Sequence, residues 1–135
     1  MNLGFYPIAS SSKGNCYLIK SEETAILLDA GISGLKINKA LNVFGMDSKM
    51  LDGLLITHEH VDHMQGASKI LWESKRCKLY CSKGTCEAIT PKIKSLPEGK
   101  VNIVSRDETF KVGDIEITAF GLSHDASEPL GFYFK

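Results

Sequence analysis

The stretch Leu54-Leu55-Ile56-Thr57-His58-Glu59-His60-Val61-Asp62-His63 decides how the rest of this 135-residue chain reads. Three apolar residues running into a polar, histidine-dense segment describe a short buried strand that delivers its end into a loop. Rigid scaffolds commonly present chemistry on such loops. A lone histidine is usually a satisfied polar group, but here three of the chain's four histidines and an aspartate crowd into one turn of sequence. His58 and His60 stand two apart, so in extended backbone both imidazoles project to one side and can grip a single ion. Asp62 and His63 fall in the following turn, displaced from the first pair, and can reach a second position. Imidazole nitrogen and carboxylate oxygen suit zinc, manganese or iron, whereas a soft copper site would need thiolates.

Working outward toward the N-terminus, Leu51 to Ile56 reads as one strand. Before it, Ser33 can cap a helix whose Leu35, Ile37, Leu41 and Phe44 face the core and which ends near Gly45. Asp29 closes the apolar run Ala25-Ile26-Leu27-Leu28, with Gly31 just beyond to turn the chain. On local grounds Asp29 is a turn aspartate bonding its own backbone. Leu3 to Ile8, Cys16 to Ile19 and Ala25 to Leu28 form an antiparallel meander, with Pro7 marking an edge or a bulge. Ser10 to Asn15 joins the first two strands as a polar turn; its other reading is a nest of backbone N–H groups able to hold a phosphate.

Toward the C-terminus, Gly66 to Trp72 reads as a helix with Trp72 in the core. Lys78 to Cys81 is a strand, and a helix from Gly84 to about Thr90 is stopped by Pro91. Val101 to Val104, Phe110 to Val112 and Ile115 to Phe120 alternate as half-buried strands do, with Gly113-Asp114 as a hairpin turn. The last of these runs into Ser123-His124. His124 can join His58 and His60 as a three-histidine site that leaves an open position for water. Asp125 and Glu128 supply loop polarity, and Leu130 to Phe134 is a final strand.

Composition sets outer bounds. Hydrophobic residues at 43% and charged residues at 24% are ordinary for a globular domain. Lysine plus arginine number 16, as do aspartate plus glutamate, so no bulk positive field attracts nucleic acid, and Lys75, Arg76, Lys78 and Lys83 read as a solvated face before a phosphate-steering patch. No apolar run spans a bilayer and Met1-Asn2-Leu3-Gly4 lacks signal-peptide character, so a cytoplasmic protein without membrane contact is expected. Cys16, Cys77, Cys81 and Cys86 read as reduced, partly buried thiols. The sharper alternative is a small metal site of Cys77, Cys81 and Cys86.

Four blocks, Ala9-Ser10-Ser11-Ser12-Lys13-Gly14-Asn15, Leu28-Asp29-Ala30-Gly31, Thr57-His58-Glu59-His60-Val61-Asp62-His63 and Ser123-His124-Asp125-Ala126, together resemble the metallo-β-lactamase fold superfamily. Within it they are most similar to the WalJ/YycJ branch, which is associated with metal-dependent DNA exonuclease activity. The resemblance implies an α/β fold, α+β by strand order: an αββα sandwich, here mainly its first half. It implies one or two divalent ions, zinc or manganese first and iron next. His58, His60 and His124 would hold the first ion, and Asp62 and His63 part of the second. Asp62 is also the candidate catalytic group, orienting a metal-activated water, and Asp29 would brace the metal loop. DNA is the implied substrate.

Family members continue past the Leu130 to Phe134 strand into a second half carrying a bridging aspartate and a further histidine. The expectation is therefore a single domain over 1–135, truncated on its C-terminal side, with the site completed by the missing half or by a second copy in a homo-oligomer. Two other readings accompany the nuclease. One is hydrolysis of a thioester or lactone by the same metals; the other is an inactive metal-binding or assembly module.

Overall fold

Adjacent apolar residues along a strand point to opposite faces of its sheet, and that alternation sets the layering here. The computed structural model describes residues 2–92, 96, 99–123 and 126–135. The first sheet contains β1 (Gly4–Ser11), β2 (Gly14–Lys20), β3 (Ala25–Leu28), β4 (Gly53–Leu55), β5 (Lys78–Cys81) and β6 (Val101–Ile103), hydrogen-bonded in that order. Its first three strands pair antiparallel; from β3 to β6 the pairing is parallel. The second sheet is the antiparallel meander β7 (Thr109–Val112), β8 (Ile115–Gly121) and β9 (Leu130–Phe134).

Leu18, Leu27 and Leu54 point from one face of the first sheet into a core shared with helices α1 (Gly34–Asn42), α3 (Ala67–Glu73) and α4 (Lys83–Ile89). Their chain neighbours Ile19, Ile26 and Leu55 point the other way and meet Val112, Ile115 and Ile117 of the second sheet. The central strands are thus apolar on both faces, which is why they read as runs rather than alternations. A helix layer on two facing sheets matches the expected α/β architecture.

The crossovers set which ends of the strands carry the loops. Strands β3, β4 and β5 run parallel, so Asp29, Ile56-Thr57 and Ser82 all emerge at one edge. Lys75, Arg76 and Lys78 lie at or before the opposite end of β5, where Arg76 Nε pairs with Asp52 Oδ1 at 2.9 Å. Lys83 alone of the anticipated basic face stands at the loop-bearing edge, so the four do not form one patch.

Several local expectations change. The β1–β2 hairpin is tighter than Ser10 to Asn15: the strands reach Ser11 and resume at Gly14, and the register slips between Pro7 and Ala9, a bulge at the proline. The strand expected over Leu51 to Ile56 is only Gly53–Leu55, because Ser48–Met50 forms a 3-10 turn that delivers Leu51 to the core from outside the sheet. Helix α1 is capped by Ser33, whose Oγ accepts from Lys36 N, yet Leu35 is 60% exposed and Phe44 39%. Ile37 and Leu41, four apart, define its inward stripe; Leu35 sits two positions from it and Phe44 lies past the helix end, its ring 5.0 Å from that of Tyr6. Trp72 is likewise not in the core but 58% exposed, since Ala67, Ile70 and Leu71 form the buried stripe of α3.

Pro91 does not stop α4 abruptly. It sits inside the 3-10 turn Thr90–Lys92 that continues the helix. Cys16, Cys77 and Cys81 are buried free thiols, and burial first of all pushes each up to about 12. The anticipated Cys77, Cys81 and Cys86 metal site is not formed: among the described residues no such cysteine group could hold an ion. Among the same residues no helix is long and apolar enough to cross a membrane.

Candidate metal centre

Asp29 leaves β3 with φ of 63°, a left-handed conformation that aspartate tolerates better than most residues. Its N–H stays on Leu55 O at 2.7 Å. The carboxylate lands on the exit of β4. Oδ1 accepts from Thr57 N at 2.8 Å, both oxygens receive Thr57 Oγ1 at 3.1 and 3.0 Å, and Oδ2 lies 2.6 Å from His63 Nδ1. A carboxylate only 3% exposed needs such donors, because burying it without them is costly. Burial pushes its pKa up, while the hydrogen bonds from His63 and Thr57 pull back without fully reversing the shift. For His63 burial opposes the charge, but the hydrogen bond and charge of Asp29, joined by Asp62, lift it above the ordinary histidine value. Both directions favour keeping a proton between Asp29 Oδ2 and His63 Nδ1.

The same carboxylate reaches a second imidazole through Thr57. With the hydroxyl proton directed at Asp29, Thr57 Oγ1 accepts from His58 Nδ1 at 2.8 Å. In the neutral rings, Nδ1 of both His58 and His63 thus carries the proton and Nε2 the lone pair, the tautomer a metal ligand needs. The rings are gathered: His58 and His60 have centroids 4.7 Å apart at 85°, and His58 and His63 3.9 Å apart at 46°. His60 ends the extended segment and begins the short helix α2 (Val61–Met64), which places Asp62 and His63. Asp62 Oδ2 lies 3.4 Å from His63 Nε2.

Gly31 does not turn the chain through a left-handed conformation. It is there because a Cβ would lie 1.7 Å from Asp62 O and 2.5 Å from Asn15 N. Only a glycine lets the β3 exit press between the hairpin and α2. Gly31 N donates to Asn15 O at 2.8 Å, Ala30 N to His63 O at 2.9 Å and Gln65 Nε2 to Gly31 O at 2.9 Å.

Three groups at this edge carry no role in the sequence reading. Thr57 is the relay just described. Glu59, 8% exposed, accepts from Ser127 N at 2.9 Å on Oε2, and its carbonyl receives Lys92 Nζ at 3.2 Å. Burial would raise its carboxyl, but Ser127 and then the charge of His60 bring it below the ordinary value. Asn15 directs Nδ2 at Asp62 Oδ2, 3.4 Å away, and at His63 Nε2, 3.3 Å away. No periodicity marks these three, and Asp29, Ser127 and Asp62, which they meet, are distant from them in sequence.

His124 and Asp125 lie outside the described residues. Among those described, no three histidine, cysteine or acidic side chains form a metal-holding group. What the edge gathers is two pairs, His58 with His60 and Asp62 with His63. Their donor types and the tied-back Nδ1 atoms fit a divalent ion.

A family model described as a beta-lactamase superfamily domain matches residues 24–135. Exodeoxyribonuclease YycJ of Bacillus anthracis is 34% identical over 134 residues, covering 99% of this chain and 50% of that protein. Exodeoxyribonuclease WalJ of Streptococcus pneumoniae is 34% identical over 129 residues, covering 94% and 48%. The chain thus spans about half the length of these curated relatives. Among solved structures, the subclass B3 metallo-β-lactamase MEM-A1 from a soil metagenome library superposes with a TM-score of 0.77 at 21% identity, over 96% of this chain and 54% of that one. BJP-1 of Bradyrhizobium japonicum, also subclass B3, gives 0.78 at 20%, over 96% and 53%. These likenesses carry the fold alone, but with the family match they settle descent: the chain belongs to the metallo-β-lactamase superfamily.

Proposed function

We propose that this chain is the metal-bearing half of a hydrolase that cleaves phosphodiester bonds in DNA. The observation that carries the reading is the Asp29–Thr57–His58 and Asp29–His63 relay, which holds two imidazoles in one tautomer beside Asp62. The exodeoxyribonucleases at 34% identity favour DNA over other substrates. His58 and His60, with His124, would hold one divalent ion; Asp62 and His63 would contribute to a second. Zinc or manganese suits these donors.

When bound, the metal supplies Lewis acidity and a nucleophile at neutral pH by lowering the pKa of coordinated water to about 7. The chain's own residues do the rest. Asp29 fixes the imidazoles so that little reorganisation accompanies loading. Asp62, 29% exposed at its side chain, accepts a proton or orients the attacking water from the open side of the site. Lys92 Nζ, which donates to the Glu59 carbonyl at 3.2 Å, would bring a positive charge toward a bound phosphate. The full reaction calls on the further aspartate and histidine that the resemblance puts in the second half, supplied by a longer chain or by a second copy.

The test is elemental analysis of the purified protein beside its solution mass, followed by digestion of linear DNA with zinc or manganese. Asp62→Ala is expected to reduce hydrolysis to background, about a thousandfold or more for a group in the reacting centre, with an unchanged circular dichroism spectrum. Turnover retained in that variant overturns the reading. Cleavage of a thioester or lactone but not of DNA would replace the substrate and keep the metal chemistry.

A further inference from the structure

Between the end of β4 at Leu55 and the start of α2 at Val61 the metal loop belongs to no strand or helix, so no ladder of its own holds the backbone that carries His58 and His60. What fixes that backbone has to come from outside. The segment leading into β9 supplies two ties: Leu130 N donates to Thr57 O at 2.9 Å, and Ser127 N donates to Glu59 Oε2 at 2.9 Å. That segment is itself fastened to the first turn of α4. Ser82 Oγ and Thr85 Oγ1 donate to Glu128 O at 2.6 and 3.4 Å, and Gly84 N donates to Glu128 Oε1 at 2.8 Å. A Cβ on Gly84 would lie 2.6 Å from Glu128 Cβ, so only glycine lets α4 and this segment pack so closely.

Glu59 is the costly member of this arrangement. It is buried, and among the described residues no hydrogen bond reaches Oε1. A buried carboxylate with one oxygen unpartnered lowers stability, and an apolar side chain of similar volume would fill the space better. Packing therefore does not account for a glutamate here. What the carboxylate adds is an acceptor for Ser127 N, set midway between two candidate ligands.

We propose that Glu59 is a positioning residue for the first ion: through Ser127 N it pins the middle of the metal loop, so that His58 and His60 stay gathered with ring centroids 4.7 Å apart. The inference rests on the metal-centre reading above. Glu59 itself does not touch the ion. Its carboxylate is taken up by Ser127, while the residues on either side of it turn their imidazoles toward each other. The Asp29 relay orients the rings of His58 and His63; the Glu59 tie acts one level down, on the backbone from which His58 and His60 project. Lys92 Nζ, which donates to Glu59 O at 3.2 Å, holds the same residue from its backbone side.

Two substitutions of similar volume separate positioning from packing. Glu59→Gln removes the charge but keeps an oxygen for Ser127 N, whereas Glu59→Met fills the space and offers no comparable acceptor. The 135-residue protein and both variants are titrated with zinc by calorimetry, with cobalt absorption spectra as a second readout and urea midpoints as the stability control. Positioning predicts that Glu59→Met loses about tenfold to a hundredfold in cation affinity and changes the cobalt spectrum, although its urea midpoint stays level or rises. Glu59→Gln should keep the affinity and the spectrum of the wild type. Ser127→Pro deletes the donor from the other side and should reproduce the loss. Wild-type affinity in Glu59→Met or in Ser127→Pro makes the tie a structural one and overturns the inference, leaving the metal-centre reading intact. If Glu59→Gln binds as weakly as Glu59→Met, the charge and not the tie is at work, and the inference is overturned as well. A wild-type protein that takes up no cation overturns both readings.

Discussion

Two polar networks lie on opposite sides of the same core, and they differ in what they leave over. Between α1, α3 and the 48–50 turn, Glu73 Oε1 receives Asn38 Nδ2 at 2.9 Å and Ser48 Oγ at 2.8 Å, Asn38 Oδ1 receives Ser48 N at 2.8 Å, and Lys69 Nζ pairs with Glu73 Oε2 at 3.0 Å. Donors and acceptors close on themselves. At the loop-bearing edge Asp29 also gathers several donors, but they orient two imidazoles, and Asn15 Nδ2 shares itself between Asp62 Oδ2 and His63 Nε2 at 3.3–3.4 Å. A structural network lowers its own energy; a site network uses its donors and acceptors to orient side chains for a ligand.

The largest effect expected from breaking this contrast comes at Gly31. Adding one methyl forces it against the Asp62 carbonyl, so Gly31→Ala should cost about 3 kcal/mol or more and appear as a lowered urea midpoint. Glu73→Ala comes next. It strands the Asn38 and Ser48 groups and should cost about 1–3 kcal/mol, leaving cation uptake at the other side unchanged; altered calorimetric uptake would show that the two networks are coupled.

Asp29→Asn sharpens the comparison from the site's side. The amide keeps the shape but cannot accept from Thr57 and His63 with both oxygens, so cation affinity should fall about tenfold to a hundredfold. An unchanged affinity would mean the relay is not needed for binding.

The smallest effect is a pH dependence. Burial alone would raise the Glu73 carboxyl, but hydrogen bonds from Lys69, Asn38 and Ser48 and the charge of Lys69 more than reverse this and hold it below the ordinary 4.5. As pH falls, the unfolded chain takes up this proton before the native one does. The contribution is therefore complete above about pH 4.5 and is lost as pH drops through the native value. Urea midpoints at pH 7 and pH 3 should fall further for wild type than for Glu73→Gln, by about 1 kcal/mol or less given the partial exposure of the pair.

Much of this was legible in the chain. The apolar run before Thr57 had to be a strand buried on both faces, and the histidine spacing had to put His58 and His60 side by side. The antiparallel meander of the first three strands and the Gly113-Asp114 hairpin followed from their turns. Leu35, Phe44 and Trp72 were misjudged because hydrophobicity was counted without phase: each is apolar but stands off the stripe that its neighbours occupy.

What the sequence determined by itself is local: which segments are strands, which turns need glycine, and which side chains can bind a cation, since these depend on neighbours a few residues away. The resemblance set Asp29 against the metal loop, but the tertiary structure decided that it does so by meeting His63 across 34 residues, and that Asn15 meets Asp62 across 47. Such contacts follow from how parallel crossovers stack strand ends at one edge, and from glycines that let two backbones touch there. Neither contact leaves a period in the residues involved.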